Sequence, residues 1–342
     1  MFINSIIINE FRGIKKCKRP ITLSNFTVLM GRNNSGKSTI LEALSLIPFP
    51  ITNEYITDVK KIDFLCALHK HSLSNNFKKD LLVNYNNLIY LYNGFSVIEY
   101  IKDYEEPFKI TITTKGADYG FEQIDKRNGT FKDGLKRKMV LDQDSKVLNF
   151  FQIKKNRRRD SVFFLPCDTG YIREIERIMN NFQNLIVKKG IHNKVAKSLS
   201  NCVDDEYSEV MFEPIRLRKI LPNSTPYIRI SDLGSGAEKL VKIMILIEIM
   251  NPKLILIDDF EVGFHPTMLD LFLKWLTERK CQVIISTHSI DILYRLTDIE
   301  PKDISVLFLK KSHDDIFDYK NFPLYEIEDY LNANTDPRKF NF

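Results

Sequence analysis

The sequence predicts an α/β protein built around a largely parallel sheet. Three observations predict it. From Tyr227 onward, short apolar strands alternate with segments of helical length, the pattern of strand–helix–strand units. A glycine-rich stretch at residues 31–38 follows one apolar strand and opens a helix. A second apolar strand, Leu254–Ile257, ends in two carboxylates, Asp258 and Asp259.

The elements follow in chain order. Residues 2–9 are rich in β-branched side chains and read as a strand. A second strand is expected over 18–23. Phe26–Met30 is a short buried strand running into Gly31, and residues 38–46 read as a helix stopped by Pro48 and Pro50. Residues 51–160 change character, with Asn, Lys, Asp and aromatic residues dominating. Alternating segments such as LLVNY, LIYLY, FSVIEYI and FKITITT predict antiparallel strands. This stretch is expected to form an inserted β-rich lobe. Residues 161–166 return to core-strand composition, and 171–200 carry helical periodicity. From residue 227 come a strand (YIRI), a helix over 238–250, the strand at 254–257, and a helix over 267–280. A strand at 283–286, a helix at 289–296, a strand at 304–309, a polar hairpin and a short helix near 324–331 complete the chain. The expected organisation is a first core part (1–50), the inserted lobe (51–160), a helical and strand lobe (161–226) and a second core part (227–342).

Composition narrows the function classes. Of 342 residues, 44% are hydrophobic and 27% charged, the profile of a water-soluble globular protein. The net charge of +6 permits contact with nucleic acid without requiring it. The five cysteines form no CxxC pair, which argues against a zinc site or a disulfide framework and points to a reducing, cytoplasmic setting. Residues 1–11 lack a basic segment and a cleavage site, so a strand is expected there and not a signal peptide. The apolar stretch 243–257 is broken by Glu248, Pro252 and Lys253, so no membrane insertion is expected.

Gly31, Arg32, Asn33, Asn34, Ser35, Gly36, Lys37 and Ser38, with Thr39 beyond them, fit the G-x-x-x-x-G-K-[ST] pattern. The glycines let the backbone wrap an oligophosphate. Amides at the following helix N-terminus offer positive partial charge. Lys37 is expected to reach the β- and γ-phosphates of ATP, and the Ser38 hydroxyl to ligate Mg²⁺. A buried strand ending in Asp258 is suited to holding that Mg²⁺ through water. Asp259 is placed to orient and deprotonate the attacking water. His288 follows another buried strand and faces the same crevice, where it is expected to contact a γ-phosphate or the water. Leu233, Gly234, Ser235, Gly236 and Glu238 form a glycine–serine turn ahead of an apolar helix, a second anion site. Two chains arranged head to tail can share two such cradles.

INEFRGIKK, GRNNSGKSTILEAL, SDLGSGAEKL, LILIDDFEVGFHP and IISTHS occur in that order. Together they resemble the ABC-type ATPases, and more narrowly their SMC/RecF/OLD branch. The resemblance covers the first 50 residues and roughly residues 227–297. It implies a P-loop NTPase head of two lobes, with two heads closing over two ATP molecules. It implies that residues 233–238 are the signature touching the partner's ATP, with Ser235 and Gly236 the main contacts. Residues 260–266 then form the loop crossing the dimer interface, His288 is the switch histidine, and Arg12 lies near the nucleotide. Three departures stand out. The signature reads Leu-Gly-Ser-Gly instead of Leu-Ser-Gly-Gly. The usual catalytic Glu is Asp259, with Glu261 two residues on as a second candidate base. No glutamine loop is evident, because Gln123, Gln143 and Gln152 all lie in the inserted lobe. Some OLD-type relatives carry a C-terminal Toprim nuclease; about 45 residues follow the last core helix here, and no intrinsic nuclease is expected.

The leading expectation is a slow ATPase forming an ATP-driven homodimer. It is expected to act on DNA or RNA in genome maintenance or defence against foreign genetic elements, with a separate nuclease or other effector. The alternatives are a nucleotide-gated scaffold with very slow turnover and the ATPase subunit of a membrane transporter. Basic residues at 154–159, with Lys126, Arg127, Lys132, Lys136, Arg137 and Lys138, form either a phosphate-backbone surface or solvated turns.

Overall fold

A computed structural model describes residues 2–69, 85–103, 105–121, 148–152, 162–167, 169–201, 205–212 and 214–339. The chain opens with β1 (Ser5–Phe11), β2 (Ile14–Cys17), β3 (Ile21–Thr22) and β4 (Phe26–Met30), then α1 (Lys37–Ser45) and α2 (Lys61–Leu68). Next come β5 (Ser96–Ile101), β6 (Phe108–Thr113), β7 (Gly116–Phe121) and β8 (Val162–Leu165). Three helices follow: α3 (Thr169–Asn181), α4 (Gln183–Lys188) and α5 (Ile191–Ser200). A small sheet of β9 (Tyr207–Met211), β10 (Arg216–Lys219) and β11 (Tyr227–Arg229) precedes α6 (Ser235–Met250). The chain continues through β12 (Leu254–Ile257), α7 (Pro266–Thr277), β13 (Gln282–Thr287) and α8 (Ile290–Ile299). It then runs through β14 (Ile304–Lys311) and β15 (Ile316–Phe322) to α9 (Leu324–Asn332).

One mixed sheet dominates, in the order β7-β6-β5-β1-β2-β15-β14-β4-β13-β12-β8, with β3 on β1. Its two halves differ. From β14 to β8 every pairing is parallel. All residues of β4, β12 and β13 are buried, as expected for strands covered on both faces. From β7 to β2 the pairings are antiparallel, and β5 and β6 alternate buried and half-buried positions. α6 is apolar on nearly every side because α3, α5 and α7 surround it.

The register of the parallel half positions the site. Met30 lies opposite Thr287, and Ile257 opposite Ile285. Gly31, Asp258 and His288 therefore leave their strands at one carboxyl edge.

Several expectations are corrected. The strand expected over 18–23 is shortened to the two residues of β3, Ile21–Thr22. Arg12, at φ 50°, and Gly13 instead turn β1 into the hairpin strand β2, and Pro20 withholds a ladder donor ahead of the two-residue β3. The LIYLY segment forms 3₁₀ turns, with Leu91 and Tyr92 at φ 49° and 64°, conformations that no strand accommodates. Within the segment expected as an inserted β-rich lobe, the described strands β5–β7 extend the main sheet, β5 pairing with β1, Ile8 opposite Ile98 and Ile6 opposite Tyr100. β9 and β10 lie where no strand was expected.

Candidate functional site

The phosphate loop is folded before any ligand is considered. A Cβ on Gly31 would lie 2.4 Å from Ser35 Oγ and 2.9 Å from the Leu309 carbonyl, so only glycine fits there. Asn34 (φ 64°) and Gly36 (φ 101°) take left-handed conformations that turn successive amides inward. α1 begins at Lys37 with no side chain capping its N-terminus. Lys37 is buried, and its Nζ donates to the carbonyls of Gly31 (3.0 Å) and Arg32 (3.2 Å). Burial lowers its pKa, opposed by the negative charges of Asp259, Asp258 and Glu261. Ser35 Oγ is buried with no hydrogen-bond partner. Lys311 Nζ ties the loop to the sheet by donating to Asn34 Oδ1 (3.3 Å) and the Gly13 carbonyl (3.0 Å).

The carboxylates meet this loop from β12. Asp258 accepts hydrogen bonds from Ser286 Oγ at 2.5 Å and from the Ser38 hydroxyl. Burial raises its pKa; those two hydroxyls oppose the shift, and Asp259 and Glu42 add to it. Ser286 Oγ also accepts from the Asp259 amide at 2.8 Å, so one serine locks both acids. Sequence reasoning did not assign Ser286. Its signal was a small polar residue at a fully buried strand position. Asp259 sits at φ 43°, a left-handed conformation just past the end of β12. His288 Nδ1 lies 3.6 Å from Asp259 Oδ1 and 3.4 Å from Glu261 Oε1. The His288 amide donates to Glu261 Oε1 at 3.1 Å, while Glu261 Oε2 is buried and unpartnered. The structure thus brings Lys37, Ser38, Asp258, Asp259, Glu261 and His288 to one edge.

This donor set fits Mg²⁺. Ser38 and Asp258 offer one hydroxyl and one carboxylate, leaving other positions to water and phosphate, as this small, strongly hydrated cation prefers. Among the described residues no group of three His, Cys, Asp or Glu side chains is arranged to hold a metal by itself.

The glycine–serine turn lies apart from this cluster in the chain's own contacts. Gly234 (φ 95°) precedes α6, and Gly234 and Ser235 are exposed. Gly236 packs beneath, where a Cβ would lie 2.9 Å from the Gly263 carbonyl and 3.3 Å from Met268 Sδ. Lys239 Nζ donates to the Val262 carbonyl at 2.6 Å and sits 4.6 Å from the centre of the Phe264 ring. Phe260, Phe264 and Phe272 pack together below. The helix start and the 260–266 loop form one surface. Glu238 pairs with the buried Lys242 at 2.6 Å, one turn in.

Arg12 is held by Glu42 of α1, and His69 completes the group at 3.2 Å from both. Burial pushes the Glu42 carboxyl up, but the His69 hydrogen bond and the Arg12 charge together hold it below its ordinary value. The basic residues at 154–159 and 126–138, and Gln123 and Gln143, lie outside the described residues. Gln152 closes the short turn after residues 148–150. Among the described residues no helix is long and apolar enough to cross a membrane.

Comparison with solved structures finds SMC heads. An SMC head bound to the C-terminal winged-helix domain of ScpA aligns over 95% of this chain and 99% of its own, with TM-score 0.57 and 14% identity. An SMC head with an extended coiled coil, bound to the C-terminal domain of ScpA derived from Pyrococcus furiosus, aligns over 97% and 99%, with TM-score 0.55 and 12% identity. The SMC head from Thermotoga maritima aligns over 94% and 100%, with TM-score 0.50 and 15% identity. These likenesses establish the fold, that of an SMC head domain. No curated protein matches the chain. The family described as "AAA domain, putative AbiEii toxin, Type IV TA system" matches residues 26–293, well over half of the sequence. The chain belongs to that family, an ATPase class built on the P-loop fold that the phosphate loop and carboxylate strand had indicated.

Proposed function

We propose that the chain binds ATP with Mg²⁺, hydrolyses it slowly, and closes head to tail with a second copy of itself. The observation that carries this reading is the convergence of Lys37, Ser38, Asp258, Asp259, Glu261 and His288 on one sheet edge. Lys37 exchanges the Gly31 and Arg32 carbonyls for the β- and γ-phosphates. Ser38 and Asp258 would hold the Mg²⁺, which when bound would neutralise phosphate charge. Asp259 orients the attacking water and takes its proton, and His288 steadies the γ-phosphate end. Thr39 follows Ser38 into α1, and Arg12 fastens α1 to the β1–β2 turn through Glu42. Leu233, Gly234, Ser235, Gly236 and Glu238 supply the γ-phosphate contacts of the other copy. The exposure of Gly234 and Ser235 supports this.

Slow turnover is favoured by Asp259. It is one methylene shorter than the usual glutamate, and its amide is tied to Ser286. The same observation supports a second reading, a nucleotide-gated scaffold that recruits a separate effector. The family description names a toxin of a type IV toxin–antitoxin system. That wording, with the motif order, favours a role in defence against foreign genetic elements or in DNA maintenance. Phosphate release by the purified chain with MgATP is the deciding experiment. Release well below the ordinary enzymatic rate of ~10 s⁻¹, lost in Asp259→Asn, is expected. ATP binding with no release leaves the scaffold reading, and absence of ATP binding removes both.

A further inference from the structure

The carboxyl-terminal segment reaches the catalytic edge. After α9 the Thr335 amide donates to the Tyr330 carbonyl at 2.8 Å, and Pro337 is buried, so the chain folds back toward α8. From that anchor Arg338 Nη1 donates to the His288 carbonyl at 3.0 Å. Its Nε and Nη2 grip both carboxylate oxygens of Asp336, at 2.9 and 2.8 Å. Asp336 Oδ1 also accepts from the Arg338 amide at 3.0 Å. Asp291, in the first turn of α8, faces the same guanidinium with its negative charge. A two-pronged arginine–carboxylate pair fixes the plane of the guanidinium as well as its place. The charge of Arg338 is answered within its own loop. What it offers the His288 carbonyl is a fixed direction.

His288 is therefore clamped on both sides of its residue. Its amide is held by Glu261 and its carbonyl by Arg338. Between these two bonds the imidazole stands 3.4–3.6 Å from the two candidate bases. With the carbonyl bond removed, the peptide after His288 is held only through its other end, the Ser289 amide on Thr287 Oγ1 at 3.0 Å, and the ring's place against Asp259 and Glu261 loosens.

We propose that Arg338, oriented by Asp336, is a positioning residue of the ATPase site that sets the His288 loop. The inference rests on the ATPase reading for its effect on turnover, while its effect on the loop stands without it. The test compares Arg338→Ala, Arg338→Lys and Asp336→Asn with the unaltered chain. Hydrogen exchange of the nucleotide-free proteins is read first. Faster exchange is expected at residues 286–290 in Arg338→Ala, with residues 31–38 unchanged. Turnover with MgATP is read next. Arg338→Ala is expected to lower kcat about tenfold while KM stays within about twofold, with Arg338→Lys and Asp336→Asn in between. If the unaltered chain releases no phosphate, the ATPase reading falls, and exchange alone decides the positioning. Unchanged exchange at 286–290 overturns the proposal. So does faster exchange spread over the whole chain in all three variants, which marks a merely structural contact.

Discussion

The phosphate loop and the turn at residues 234–236 are both glycine turns ahead of a helix, yet they are finished to different degrees. The first is packed within the chain, with Ser35 Oγ buried and left without a partner. Lys37 is buried on two loop carbonyls, and a Cβ on Gly36 would touch Ile14 and Phe317 at 3.3 Å. The second is half built. Its underside is pinned to the 260–266 loop through Gly236 and Lys239, while among the described residues nothing lies within 4 Å of where a Gly234 Cβ would be. One cradle is complete within the chain, and the other presents its donors outward. That difference supports a site assembled from two copies, and it can be broken at either end.

The largest effect is expected at the finished half. Lys37→Ala removes the charge-assisted contact with the β- and γ-phosphates, and ATP affinity measured by calorimetry is expected to fall about 100-fold or more. Asp259→Asn is expected to keep ATP affinity and lower phosphate release about 100-fold. Normal release by this variant transfers the base role to Glu261. At the open half, Ser235→Arg is expected to leave ATP binding by the single chain unchanged and to abolish ATP-dependent association in sedimentation. Full activity in Ser235→Arg breaks the comparison. Gly236→Ala probes the underside alone. Its methyl must push the Gly263 carbonyl, so thermal unfolding is expected to reveal a loss of about 1–2 kcal/mol, with ATP affinity unchanged.

The same contrast explains what the sequence made legible. Phe26–Met30 and Leu254–Ile257 could be read to the residue, because strands buried on both faces must be apolar throughout. The convergence of Gly31, Asp258 and His288 followed from their places at the ends of such strands. The antiparallel half was harder. The turn of β1 into β2 depends on the left-handed Arg12, and LIYLY alternates like a strand but is claimed by left-handed Leu91 and Tyr92. β10, in the small sheet, buries a single inward side chain, Leu217, too little for a period to show. Ser286 and Arg338 were invisible for another reason. Each acts through a partner far along the chain, 28 residues from Asp258 and 50 from His288 respectively, and no local pattern encodes that. Arg12 was placed near the nucleotide by resemblance; its held partner, Glu42, emerged only from the packing of α1 against the hairpin turn.

The mass of the Asp259→Asn chain in solution tests the central claim most directly, because this variant is expected to hold ATP without consuming it. Light scattering after size separation, with saturating MgATP and then with MgADP, gives the answer. The account predicts twice 40.1 kDa with ATP, 40.1 kDa with ADP, and 40.1 kDa in both when Ser235→Arg is added. A mass of 40.1 kDa at saturating ATP contradicts it.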